Sequence, residues 1–155
     1  MLESLEGSAF SVWLRESPSI WAYPTVLTLH TLGMGVLAGA SAAFDLRLLG
    51  IARPIPLNAL RILFPVMWSG FWVNALTGSM LFAANATTRA TSALFILKLC
   101  FVALGVATIV LLKRHVYDAP PGARSVSPRA GLLAVASLLM WLAAITAGRL
   151  LAYLT

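Results

Sequence analysis

Charge is what this sequence has least of. Only 10% of its 155 residues are charged, while 60% are hydrophobic. A soluble domain carries about a quarter charged residues, so a water-exposed surface of ordinary composition is excluded. The scarcity is concentrated in long runs. Residues 17–44 and 62–88 contain no Asp, Glu, Lys or Arg, residues 90–112 contain only Lys98, and residues 130–155 only Arg149. A membrane span needs about 20 mostly apolar residues, and each run supplies them. Strands of a transmembrane barrel would alternate polar and apolar residues, and these runs do not. Helices satisfy their own backbone groups in hydrocarbon. The expected fold is therefore all-α, an integral membrane four-helix bundle over residues 1–155. Its spans are expected near 22–46, 60–84, 92–114 and 131–154, behind a short interfacial helix within residues 1–18.

Other absences narrow the chemistry. One cysteine, Cys100, allows no intramolecular disulfide and no CxxC pair. The sequence has no phosphate-binding glycine loop and no HExxH. Carboxylates are missing from the spans except Asp45 at an edge, which disfavours a proton pump built on intramembrane acids. Four short spans without broken halves disfavour a secondary transporter. The N-terminus opens with Glu3 and Glu6 where a secretory signal would be basic. Leu2, Leu5, Ala9 and Trp13 share one side of a helix there, as in a segment lying on a membrane surface.

Breaks between spans fall at Arg53-Pro54-Ile55-Pro56, at Asn85 to Thr91, and at Asp118-Ala119-Pro120-Pro121-Gly122. Basic residues cluster at two of them. Arg47, Arg53 and Arg61 flank the first loop, and Lys113, Arg114, Arg124 and Arg129 the third. The positive-inside rule then puts both termini outside, and in a bacterium it implies an inner-membrane protein with periplasmic termini. No basic surface stands clear of the membrane, so nucleic acid is not an expected partner. The expected partners are the lipid bilayer, a quinone or periplasmic redox protein, and a second copy or larger membrane complex.

Ionisable groups inside spans are rare and usually functional. His30, Lys98 and Arg149 are the candidates, with Asn74 and Thr77 beside them by depth. His30 and Lys98 lie at depths agreeing within roughly 3 Å in their helices. Thr146 and Arg149 come late in the fourth span, Asn74 and Thr77 late in the second. All would line one polar chamber in the outer half of the bundle. A neutral imidazole there suits an axial ligand of haem iron, so His30 is the expected metal ligand and haem b the expected cofactor. Lys98 and Arg149 would face its propionates. His115, at the cytoplasmic end of span three, is about 25 Å of helix rise away from Lys98, so it is no second ligand. The competing reading makes His30 a structural hydrogen-bonding group, with Lys98 and Arg149 snorkelling to the interface.

Three further expectations concern packing. Gly35 and Gly39 form a small-xxx-small motif suited to helix contact. Trp68, Trp72 and Trp141 are too deep for an interfacial belt and are expected to line the bundle. Asp45 and Arg47 are expected to anchor the end of span one to a loop or to lipid headgroups.

An ordered set of motifs runs along nearly the whole chain. Ser19-Ile20-Trp21-Ala22-Tyr23-Pro24, Leu29-His30, Gly33, Gly39 and Asp45-Leu46-Arg47-Leu48-Leu49-Gly50 open it. Pro65, Trp68, Gly70-Phe71, Thr77-Gly78, Leu81-Phe82, Phe95, Lys98, Trp141 and Gly148-Arg149-Leu150-Leu151-Ala152-Tyr153 complete it. The set resembles a bacterial family of four-span membrane proteins of uncharacterised function. It is distantly similar to four-span protoporphyrinogen oxidase, in which a first-span histidine binds haem b and the third span carries a lysine, and to the membrane domain of copper-resistance protein D. That similarity implies haem at His30 with Lys98 nearby. The expected function is electron transfer by a cytochrome b-like inner-membrane protein. The alternatives are an oxidase of a porphyrinogen or quinol and a non-catalytic accessory or anchor subunit.

Overall fold

A computed structural model of the chain describes residues 1–118 and 128–153; Ala119–Gly122 of the third breaker cluster and Arg124 lie outside the described residues. The fold is all-α, as expected. The described helices are α1 (Leu2–Glu6), α2 (Ala9–Glu16), α3 (Tyr23–Leu48), α4 (Leu63–Ala84), α5 (Ala86–Thr91), α6 (Ala93–Tyr117) and α7 (Pro128–Leu151), with a 3-10 segment over Leu57–Ile62. Four of them, α3, α4 with its preceding 3-10 segment, α6 and α7, are long and apolar enough to cross a membrane. The chain is a multi-pass membrane protein. Hydroxyls within the spans are satisfied locally, as hydrocarbon requires. Thr28 donates to the Pro24 carbonyl at 2.8 Å, Thr31 to Leu27 at 2.9 Å and Thr108 to Gly105 at 2.6 Å.

The residues fall into two compact units, Met1–Leu37 with Pro65–Ala93, and Ala38–Phe64 with Leu94–Thr155. In the first unit, Leu14 of α2 is fully buried with Ala22, Val26 and Ala84, and Tyr23, Met80 and Leu81 close around them. Two helices stand where one was expected at the N-terminus. Gly7 ends α1, and Ser8 caps α2 by accepting from the Ser11 N–H at 3.3 Å. Arg15 reaches from α2 to the last carbonyl of α4, with Nη1 donating to Ala84 at 2.9 Å. A cation there meets the negative end of the helix dipole.

Glu6 does the converse for α5. Asn85 precedes that helix without a side-chain cap. The Glu6 carboxylate instead accepts from the Thr87 N–H at 2.8 Å and the Thr87 hydroxyl at 2.6 Å. These bonds, the hydroxyl's first, hold the Glu6 carboxyl below the usual carboxylate range, helped by Arg15. A depressed folded-state value stabilises this contact above the unfolded value, and the stabilisation is lost as pH falls through the folded one. Acidification below the ordinary carboxylate range should therefore release α1 before the spans are disturbed. Proteolysis of the N-terminal segment in lipid nanodiscs checks this. Glu6→Gln should show the released pattern already at neutral pH, and acid-resistant protection of α1 in the parent would contradict the linkage.

In the second unit, α3 ends in a left-handed turn. Gly50 takes φ +92°, its N–H donates to the Arg47 carbonyl at 3.2 Å, and the Ile51 N–H donates to Leu46 at 3.0 Å. Glycine is favoured at such a position because it has no Cβ to clash. Arg47 Nε donates to the Ile55 carbonyl at 2.6 Å. It ties the helix end to its own loop. Phe44, Phe64 and Tyr117 form an aromatic core with ring centroids 5.1–6.1 Å apart. The Tyr117 hydroxyl donates to the Leu57 carbonyl at 2.5 Å, and Arg61 stacks over the Tyr117 ring at 5.2 Å.

Two packing expectations are corrected. A Cβ added to Gly35 or Gly39 would meet nothing within 4 Å. Spacing identifies small residues on a helix, but not the neighbour they face. Trp68 and Trp72 are outward, at 36% and 60% exposed, and only Trp141 is buried. In hydrocarbon an indole outside the core meets lipid at little cost, so depth alone does not make a tryptophan a lining residue.

Candidate functional site

The polar residues singled out by the sequence divide between the two units. His30 on α3 and Asn74 and Thr77 on α4 belong to the first unit and touch directly. His30 Nδ1 lies 3.0 Å from the Asn74 carbonyl oxygen and 3.2 Å from Thr77 Oγ1. Asn74 Nδ2 donates back to the His30 carbonyl at 2.8 Å. The result is a reciprocal clasp between two helices, in which each residue offers its side chain to the other's backbone. Thr77 also donates to the Val73 carbonyl at 2.6 Å. Asn74 and Thr77 are buried, and His30 is half-buried.

Glycines bring the clasp together. A Cβ on Gly33 would stand 2.8 Å from the Asn74 nitrogen and 3.0 Å from the Gly70 carbonyl oxygen. A Cβ on Gly70 would stand 2.8 Å from the Leu37 nitrogen and 2.9 Å from the Gly33 carbonyl oxygen. These are backbone atoms with no room to yield, so α3 and α4 approach this closely only because both positions lack a side chain. Gly78 serves the imidazole, whose Cε1 would be 3.0 Å from a Cβ there.

The electronic consequence for His30 follows from its partner. A carbonyl oxygen can only accept, so the hydrogen bond requires a proton on Nδ1. In the neutral ring the lone pair then resides on Nε2. Ligating histidines commonly have their second nitrogen fixed in this way by a backbone carbonyl or carboxylate. Among the described residues, no group of three or more His, Cys, Asp or Glu side chains is disposed to hold a metal ion.

Lys98 and Arg149 belong to the second unit. The half-buried Lys98 stem runs across Gly148 of α7, where a Cβ would be 3.3 Å from its Cε and 3.6 Å from its Nζ. Arg149 is exposed and stacks on Tyr153, its guanidinium carbon 5.6 Å from the ring centroid. Leu142 and Thr146 on the same face are also exposed. The idea that Lys98 and Arg149 serve the site of His30 rests on helix register alone.

A second polar cluster was not expected from the sequence. Asp45 is completely buried. Ser41 Oγ lies 3.4 Å from Asp45 Oδ2 and 3.2 Å from Ser137 Oγ, and accepts from Trp141 Nε1 at 3.0 Å. A signal for it was present. Leu37, Ser41, Phe44, Asp45 and Leu48 fall at helical spacings on one face, and all are buried. Distance from the helix end suggested an edge, whereas the periodicity pointed inward.

No family model, curated protein or solved structure matches the chain.

Proposed function

We propose that this protein is a haem b-binding electron-transfer protein of a bacterial inner membrane, with His30 as the axial ligand. The observation that carries the reading is the Nδ1 contact of His30 with the Asn74 carbonyl, which places the lone pair of the neutral ring on Nε2, the nitrogen that would ligate iron. Haem would supply a one-electron couple. The chain's own contribution is to fix the imidazole. Asn74 and Thr77 hold its tautomer and rotation, and Gly78 gives the ring room beside α4. The resemblance to four-span haem proteins at His30 and Lys98 supports the same reading. The basic residues Arg47, Arg53, Arg61, Lys113 and Arg114 favour periplasmic termini.

An absorption spectrum of the detergent-purified protein, oxidised and then reduced with dithionite, tests it. A Soret band with reduced b-type peaks is expected in the parent and their loss in His30→Ala. Thr77→Val should lower haem retention by about 10–100-fold, the usual cost of removing a partner of a ligand. A featureless parent spectrum after expression with ample haem would sink the reading and leave the clasp as a lock between helices. Retained, unchanged haem in His30→Ala would refute the ligand assignment.

A further inference from the structure

Asp45 is the only acidic residue inside a helix long and apolar enough to span the membrane; the other four in the sequence are Glu3, Glu6, Glu16 and Asp118. Its side chain is 0% exposed. Oδ2 has Ser41 at 3.4 Å, and Oδ1 has no hydrogen-bond partner among the described residues. No described cation answers it. Arg47, two residues on, is turned to the Ile55 carbonyl, and Arg61 lies over Tyr117. The other polar groups of the cluster, Ser41, Ser137 and Trp141, are uncharged, and Tyr117, which packs on Phe44, directs its hydroxyl to Leu57.

A bare carboxylate in such a place costs several kcal/mol. The group is tolerable only if something positive sits on it. A hard cation would want about six oxygen ligands. The cluster offers four side-chain oxygens, and Ser41 Oγ already accepts the Trp141 N–H. A proton needs one oxygen.

We propose that Asp45 is a proton-binding site: a neutral carboxylic acid whose Oδ2–H is hydrogen-bonded into the Ser41–Ser137–Trp141 cluster. Oδ1 is then an uncharged carbonyl oxygen, the one form in which it can stand without a donor at small cost. The next backbone turn, where the Leu49 N–H donates to the Asp45 carbonyl, is the end of α3. Exchange of the proton with the aqueous phase would run through that end. The inference does not depend on haem, because it invokes neither His30 nor any cofactor.

Dicyclohexylcarbodiimide, an apolar reagent for protonated carboxyls, tests it on the full chain in lipid nanodiscs, with peptide mass spectrometry to locate the adduct. Labelling of Asp45 at neutral pH is expected, equal in sodium and choline chloride, and lost in Asp45→Asn. Infrared spectra should contain a carboxylic C=O band that shifts in D2O and is missing from Asp45→Asn. In Ser41→Ala that band should persist and move to higher frequency, as for an acid that has lost a hydrogen bond. Absence of both label and band would overturn the proposal. Suppression of labelling by sodium would replace the proton with a cation, and a band unmoved by D2O would refute the exchange with water.

Discussion

Gly70→Leu is expected to break the crossing of α3 and α4 and to cost about 3 kcal/mol or more, the upper end for overpacking. The added side chain would meet the Leu37 nitrogen and the Gly33 carbonyl oxygen at under 3 Å, and neither can rotate away. Helices in a membrane gain little from burying apolar surface, since lipid is equally apolar, so close backbone approach carries much of their association. Separating them by a side chain removes that contact at once. It also pulls Asn74, one turn after Gly70, away from His30, one turn before Gly33. Thermal melting in a mild detergent should therefore drop sharply, and any bound haem should be lost with it. Gly35→Ala and Gly39→Ala are the controls. They face open space and should stay within about 1 kcal/mol of the parent, with helix propensity favouring alanine. Equal melting of Gly70→Leu and the parent would show that the two backbones do not approach as described.

Trp141→Ala should be the most damaging single change in the second unit, at about 3–5 kcal/mol. The ring is 2% exposed and covers Gly105 of α6, where a Cβ would come within 2.9 Å of Cε2 and Cζ2. Removing it leaves a void that glycine cannot fill and takes the N–H from Ser41 Oγ. Trp141→Phe separates the two losses. It keeps most of the ring and drops only the hydrogen bond, for which membrane proteins typically lose about 0.6 kcal/mol. A double-mutant cycle with Ser41→Ala measures that coupling. An alanine variant as stable as the phenylalanine one would show that packing on Gly105 contributes nothing.

The spans were legible because hydrocarbon imposes a length and a composition that uncharged runs betray directly. Helical spacing also brought out His30, Asn74 and Thr77, because residues at matched depth on facing stripes have few other places to point. Facing direction was harder to read. Gly35 and Gly39 have the spacing of a packing motif, yet Gly33 makes the contact, because its partner Gly70 lies on another helix whose rotation the sequence does not encode locally. Asp45 was read from its distance to the helix end, and the structure sets its burial by rotation about the helix axis. In a membrane both sides of a helix are apolar, so the usual contrast between wet and dry faces is too faint to reveal that rotation.

The bond between Glu6 and Thr87 joins positions 81 residues apart. Synthesis runs from the N-terminus, so the carboxylate exists long before the helix whose N–H it accepts. Until α3 and α4 are both threaded through the bilayer, Glu6 has no N–H to receive, and α5 has no cap. A segment made before the spans is thus among the last to settle. Its docking serves as a latch that can close only on a completed first pair of spans, so a stalled or misthreaded intermediate would leave the N-terminal helices loose and open to proteases.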